Sequence, residues 1–213
     1  MALVDAGLWC EIGPASFAGQ PALFLDRDGV VVVDTNYLGR VEHLQMIAGS
    51  AEAIARCNAL EIPVVLVTNQ SGIARGRYDW NGFQSVQAAI AAELARAGGH
   101  LDAVLACAYH KDGHDALRID NHPWRKPNPG MIVTAAQRMG LDLARSWIVG
   151  DQVHDLAAGR AAGVAGGTLL TAGSLDSQQA SALAGAQFDV EVASNLADAV
   201  PKLLEQGQLG TRS

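Results

Sequence analysis

Ala22-Leu23-Phe24-Leu25-Asp26-Arg27-Asp28-Gly29 is a short apolar run that stops abruptly at two carboxylates and a glycine. A continuous run of this kind, with no polar alternation, is what a strand buried on both faces requires. Pro63-Val64-Val65-Leu66-Val67 stops in the same way at Thr68-Asn69, and Trp147-Ile148-Val149 stops at Gly150-Asp151. Asp102-Ala103-Val104-Leu105-Ala106, leading to Cys107, and Gly167-Thr168-Leu169-Leu170 complete the set. The stretches between them carry helical spacing. Residues 50–60 place Ala53, Ile54, Cys57 and Leu60 on one face, and residues 80–97 carry Phe83, Val86, Ile90 and Leu94 in steps of three and four. Residues 129–139 begin with a proline in the first turn and end before Gly140, and residues 156–162 are closed by Gly163. Apolar runs alternating with helices imply crossover units, hence an α/β fold with a mainly parallel sheet covered on both faces.

The whole chain agrees with that class. Its 213 residues are 49% hydrophobic and 17% charged, enough to bury a full core and too apolar for a disordered chain. Fifteen basic against twenty-two acidic residues leave a net charge of −7, which argues against a broad nucleic-acid surface while allowing a few clustered cations to hold a phosphate. Cys10, Cys57 and Cys107 are odd in number and far apart, so reduced thiols and a cytoplasmic location are expected. No run of about 18 apolar residues marks a membrane span. The start, with Asp5 and Glu11 and no basic residues before an apolar run, does not read as a secretory signal. Residues 1–20 contain Gly7, Gly13, Pro14 and Gly19 without clear periodicity and read as an arm lying on the domain, with Leu8, Trp9 and Phe17 tucked against it. Residues 21–206 form the single domain, and residues 207–213 read as a frayed, flexible tail.

Ligands of open parallel sheets bind at the carboxyl ends of the strands. Four segments deliver unusual polar groups to that edge: Asp26-Arg27-Asp28-Gly29, Thr68-Asn69-Gln70-Ser71-Gly72, Arg125-Lys126-Pro127 and Gly150-Asp151. Each alone is an ordinary turn; together they describe phosphoryl chemistry. Asp26 and Asp151, with the Asp28 main-chain carbonyl, suit a hard divalent cation such as magnesium. Lys126 is a point charge for a phosphate oxygen, and the Thr68 hydroxyl can donate to another. Asp26 is placed to attack phosphorus, and Asp28 to protonate the leaving alkoxide and then deprotonate water. The glycine-rich nucleotide motifs are absent from the sequence.

In order and type, Phe24–Val30, Val67–Gly76, Arg125–Met131 and Ile148–Asp151 with Asp155 resemble the motifs of the haloacid dehalogenase superfamily of phosphohydrolases. The second and third segments, with Asp34-Thr35-Asn36-Tyr37, are similar to the group of D-glycero-D-manno-heptose 1,7-bisphosphate 7-phosphatases, whose near relatives are histidinol-phosphate phosphatases. The resemblance covers about residues 21 to 172. It implies a Rossmann-like three-layer α/β/α domain with a minimal cap or none, magnesium dependence, and a small sugar phosphate as substrate, with a role in heptose and lipopolysaccharide synthesis. Neither a nucleic-acid nor a membrane partner is expected, and the chain is expected to be a monomer. Carried over residue by residue, it implies Asp26 as nucleophile and Asp28 as acid/base. Thr68, Asn69, Arg125 and Lys126 become phosphate or substrate ligands, and Asp26, Asp28 and Asp151 the metal site. Asp155 stands either near a metal-bound water or as a helix N-terminal acid.

The group often carries a structural zinc loop, and here the pattern departs. Tyr109 stands at the matching histidine position, and His122 and Trp124 where two cysteines would be. Cys107, His110, His114 and His122 share the loop but make a poor zinc set, so magnesium alone is expected. His43, His100 and His154 read as surface or capping residues, and Tyr78-Asp79-Trp80 as a helix start close to the second motif. Histidinol-phosphate phosphatase is the alternative activity. A catalytically silent sugar-phosphate binder would be expected to have lost one of Asp26, Asp28, Lys126 and Asp151; all are present.

Overall fold

The five apolar runs become the central strands of one eight-stranded sheet in the computed structural model, which describes residues 2–171 and 181–209. The strands are β1 (Leu3–Asp5), β2 (Leu8–Ile12), β3 (Leu23–Leu25), β4 (Val64–Asn69), β5 (Ala103–Cys107), β6 (Trp147–Gly150), β7 (Gly166–Leu170) and β8 (Asp189–Ala193). Their spatial order is β1-β2-β5-β4-β3-β6-β7-β8. From β5 across to β8 every neighbouring pair is parallel, whereas β2 runs antiparallel to β5 and β1 antiparallel to β2. Among the described residues the helices are α1 (Ser50–Ala59), α2 (Ser71–Ala74), α3 (Trp80–Arg96), α4 (Gly130–Met139), α5 (Val153–Ala162) and α6 (Leu196–Glu205).

Because successive strand residues point to opposite faces, each apolar run supplies two cores at once. Leu23, Leu25, Val64, Leu66 and Val149 join Ile54 of α1, Phe83 and Ile90 of α3, and Leu203 of α6. Phe24, Val65, Val67, Leu105 and Ile148 join Met131 and Ile132 of α4 and Leu156 of α5 on the other face. The result is the three-layer α/β/α arrangement that the alternation of runs and helices implied.

Residues 3–12 differ from the arm that the sequence suggested: they form β1 and β2 and extend the sheet beyond β5. Their apolar signal is short, since only Leu8, Trp9 and Cys10 of β2 are buried, and the partner strand lies far away in the sequence. At the other end, Leu209 is buried and its N–H reaches back to the Leu203 carbonyl, so residues 207–209 pack onto α6; residues 210–213 lie outside the described residues. Sequence pattern had left β8 and α6 unassigned within residues 21–206. Yet α6 carries Leu196, Ala199, Val200 and Leu203 on one buried face, and the Asn195 side chain caps it by accepting from the Asp198 N–H at 2.9 Å. Helix α5 starts a turn earlier than expected because Gln152 and Asp155 form a reciprocal capping box.

From β3 the chain first builds outward through β4 and β5, then returns to β6 and β7 on the other side. That reversal brings the carboxyl ends of β3, β4 and β6 around one crevice. Helix α5, which follows β6, approaches it closely: a Cβ at Gly159 would lie 2.5 Å from Ile148 Cγ2. Gly159→Ala is therefore expected to destabilise the fold by about 1–3 kcal/mol through overpacking. Urea unfolding would read this as a lower midpoint at unchanged slope, and an unaltered midpoint would contradict the packing.

Candidate active site

Lys126 is only 3% exposed, and its ammonium meets three acceptors. Nζ donates to Asp26 Oδ1 at 2.8 Å and to the Val67 carbonyl at 2.8 Å, and forms an ion pair with Asp155 Oδ1 at 2.7 Å. Burial by itself pushes the ammonium pKa down, but Asp155 and Asp26 together outweigh it, so Lys126 is held charged. Its loop is fixed to the end of β4 by Asn69. The Asn69 Nδ2 donates to the Lys126 carbonyl and the Lys126 N–H donates to Asn69 Oδ1, each at 3.1 Å. Asn69, expected among the phosphate ligands, thus has its side-chain amide engaged with the Lys126 backbone.

Asp26, Asp151 and Asp155 each bring a carboxylate oxygen within 4.8 Å of the others, the one such convergence of three or more His, Cys, Asp or Glu side chains among the described residues. Gly29 makes room for it. Its φ is +77°, and a Cβ there would lie 2.4 Å from Asp151 Oδ2. Burial first, then the charges of Asp26 and Asp155, push the Asp151 carboxyl up to about 7. Asp155 is fully buried, with Oδ2 accepting from the Gln152 N–H at 3.0 Å while Oδ1 faces Lys126. It acts as helix cap and as part of the carboxylate cluster together. Three hard oxygen donors against one ammonium form a set suited to a divalent cation that keeps waters and a phosphate in its shell.

Asp28 faces a second network. Arg27 is completely buried, and its Nε and Nη2 bind both Asp28 carboxylate oxygens at 3.0–3.2 Å. Gln70 connects this pair to β4: Nε2 donates to Asp28 Oδ2 at 3.0 Å and to Thr68 Oγ1 at 2.8 Å, while Oε1 accepts from Arg27 Nη2 at 2.9 Å and from the Tyr78 hydroxyl. Burial raises the Asp28 pKa and Arg27 pulls it back, leaving it above the usual carboxylate range. The two networks border one cleft of about 270 Å³, lined by Asp26, Asp28, Tyr37, Arg125, Asp151 and His154 among others. Arg125 donates from Nη1 to the Tyr109 carbonyl at 3.1 Å, and burial lowers its pKa.

All four segments singled out in the sequence therefore meet at one place. Sequence reasoning gave no individual role to Arg27 or Gln70. It placed Tyr78 near the second motif, within reach of a substrate, and Tyr78 does line the cleft. So does His154, read as a surface or capping residue, whose half-exposed side chain lies 3.4 Å from Asp155. Gln70 had a signal: it stands two residues after Thr68, as Asp28 stands two after Asp26, and i, i+2 residues of extended chain share a side. Of the four residues considered for zinc, His114 donates its backbone N–H to the Ala74 carbonyl at 2.8 Å. Cys107 is buried in β5, His110 contacts Arg75 and the Asp112 N–H, and His122 stacks on Tyr109.

The HAD-hydrolase-like family model matches residues 123–199. A D-glycero-β-D-manno-heptose-1,7-bisphosphate 7-phosphatase of Mesorhizobium japonicum is 49% identical over 170 residues, which span 79% of this chain and 78% of that protein. Among solved structures, a HAD-like phosphatase from Mesorhizobium loti superposes with a TM-score of 0.87 at 39% identity, covering 100% of this chain and 99% of the other. A D,D-heptose 1,7-bisphosphate phosphatase from B. bronchiseptica, complexed with magnesium and phosphate, gives 0.75 at 34% identity, covering 88% and 99%.

The raised Asp151 pKa has a measurable sign. Without a cation the folded protein keeps a proton on Asp151 up to about pH 7, while the unfolded chain releases it near the ordinary aspartate value of 3.8. In that window the native state binds more protons, so stability falls as pH rises. Magnesium, which favours the carboxylate, is expected to raise Tm more at pH 7.5 than at pH 5 and to release protons on binding near pH 6. A magnesium shift that is the same at both pH values would contradict this.

Proposed function

The chain belongs to the family of HAD-like hydrolases that contains the D-glycero-β-D-manno-heptose-1,7-bisphosphate 7-phosphatases, and on that premise we propose that it hydrolyses the 7-phosphate ester of that sugar through an aspartyl-phosphate on Asp26. The observation that carries this reading is the convergence of Lys126, Asp26, Asp151 and Asp155 at the end of three strands, in a chain 49% identical to a named enzyme of that activity.

Lys126 holds Asp26 Oδ1, which leaves Oδ2 to form the bond to phosphorus as the P–O7 bond breaks. Asp28 supplies the proton that the departing sugar oxygen needs; burial favours its protonated form, in keeping with that task. As a carboxylate it then takes a proton from the water that attacks the aspartyl-phosphate, and inorganic phosphate leaves with Asp26 restored. Thr68 Oγ1 accepts from Gln70, so its own hydrogen is left for a phosphate oxygen. Lys126 balances charge on the transferring group, and Arg125 reaches the rest of the substrate. Asp26, Asp151 and the Asp28 main-chain carbonyl would hold magnesium, with Asp155 beside them. Bound there, magnesium would neutralise negative charge on the phosphoryl group. Cys10, Cys57 and Cys107 are free and buried, in keeping with a reducing cytoplasm.

The test is phosphate release with magnesium from heptose 1,7-bisphosphate and from histidinol phosphate. The heptose ester is expected to show the higher kcat/KM, and the reverse order would overturn the substrate assignment. Asp26→Asn is expected to abolish turnover with an unchanged circular dichroism spectrum, and Asp28→Asn to lower kcat by about 10²–10⁴-fold. Substantial turnover by Asp26→Asn would remove the nucleophile.

A further inference from the structure

Tyr109, which follows β5, is 7% exposed, and its ring touches neighbours from two distant parts of the chain. The His122 imidazole stacks on it with centroids 4.4 Å apart and planes inclined by 25°. Gly7, in the turn between β1 and β2, packs against the same ring so closely that a Cβ would come within 2.6 Å of it. That turn is held in place by two more bonds. The Ala108 N–H donates to the Gly7 carbonyl at 2.8 Å, and the Trp80 indole donates to the Ala6 carbonyl at 2.9 Å.

Both members of the stacked pair hold Arg125. The Tyr109 carbonyl accepts from the guanidinium, Nη1 to O, at 3.1 Å. The His122 carbonyl accepts from the Arg125 N–H at 2.8 Å, and His122 Nδ1 accepts from the Trp124 N–H at 3.1 Å. Side chain and backbone of Arg125 are therefore pinned from the two halves of one aromatic stack. Burial lowers the His122 pKa, which keeps the imidazole neutral against the ring at pH 7. Arg125 lines the cleft beside Asp26, and a planar guanidinium held at one nitrogen still offers donors suited to a phosphate.

We propose that the Tyr109–His122 stack, backed by Gly7, is a positioning device that sets Arg125 to receive the second anionic group of the substrate and so selects bisphosphates over monophosphates. This rests on the reading above that the reacting phosphate sits at Asp26 and Lys126. Tyr109 and His122 touch no reacting atom; they act through Arg125.

The test follows p-nitrophenyl phosphate turnover by the magnesium-loaded full chain, with fructose 1,6-bisphosphate and fructose 6-phosphate as competing inhibitors. In the wild type the bisphosphate is expected to bind the tighter, and Arg125→Ala to erase that preference. His122→Ala and Tyr109→Ala are expected to weaken the bisphosphate about tenfold or more while leaving fructose 6-phosphate inhibition and kcat on the monoester within about twofold. Tyr109→Phe, which keeps the ring, is expected to retain the preference. Should Tyr109→Ala fail to fold, His122→Ala on the loop carries the result. A His122→Ala variant with an undiminished preference, or one that loses kcat equally on every substrate, would overturn the proposal. A wild type that hydrolyses p-nitrophenyl phosphate but not heptose bisphosphate would strike the substrate assignment instead, and the inhibition ratio would still decide the role of the stack.

Discussion

A buried ammonium holds this molecule's chemistry together. Lys126 has three protons and meets three acceptors: the Asp26 and Asp155 carboxylates and the Val67 carbonyl. Each acceptor comes from a different element, respectively the end of β3, the first turn of α5 and the interior of β4. An unpaired cation at this depth would be strongly disfavoured, and so would the carboxylates without it. The strand order that sets β3 between β4 and β6 is what lets one residue satisfy all of them. Around this point the other constraints follow: Asn69 secures the Lys126 backbone, Gly29 yields space to Asp151, and the α5 cap orients Asp155.

What could be read from the chain, and what could not, divides along the range of the interactions. The buried parallel strands were legible because each core face leaves its mark locally, as an unbroken apolar run ending in polar residues. The positions of Asp26, Thr68 and Asp151 followed, since a strand's end fixes where the residues at it lie; Lys126, on the loop ahead of α4, was marked only by its Arg-Lys-Pro motif. The Arg27–Gln70–Tyr78 network was not legible. An arginine beside two aspartates carries no local mark of burial; Phe83, 5.5 Å from the Arg27 guanidinium, and the Leu38 carbonyl and Gln70 amide that accept from it all come from distant parts of the chain. Asn69 was recognised as part of the site but its bonds run to a backbone 57 positions away, which no local pattern records. The short strands β1 and β2 were missed for the same reason: they take their meaning from β5 and not from their neighbours in sequence.

Among the described residues the cleft is lined by loops and the ends of strands and helices. One wall is the segment between β3 and α1, where Asn36 and Tyr37 both hold positive φ, 57° and 81°. Non-glycine residues held there, and the crowding of Tyr37 and Tyr78 over Gly72, indicate a wall fixed by its surroundings. Arg125, from the loop ahead of α4, and Asp151, Gln152 and His154, at the start of α5, line the cleft as well. Substrate discrimination in such a site depends on how rigidly these loops hold their side chains.

The hairpin of β1 and β2 has a bearing on how the chain comes to be folded. Leu8 pairs opposite Cys107, so β2 docks onto a strand synthesised roughly a hundred residues after it. Until β5 emerges, Leu8, Trp9 and Cys10 have no sheet to cover them, and the segment waits as an open apolar ribbon. Vectorial synthesis thus holds open the turn that presses on Tyr109 until the middle of the chain has been made, and ties that contact to the arrival of β5.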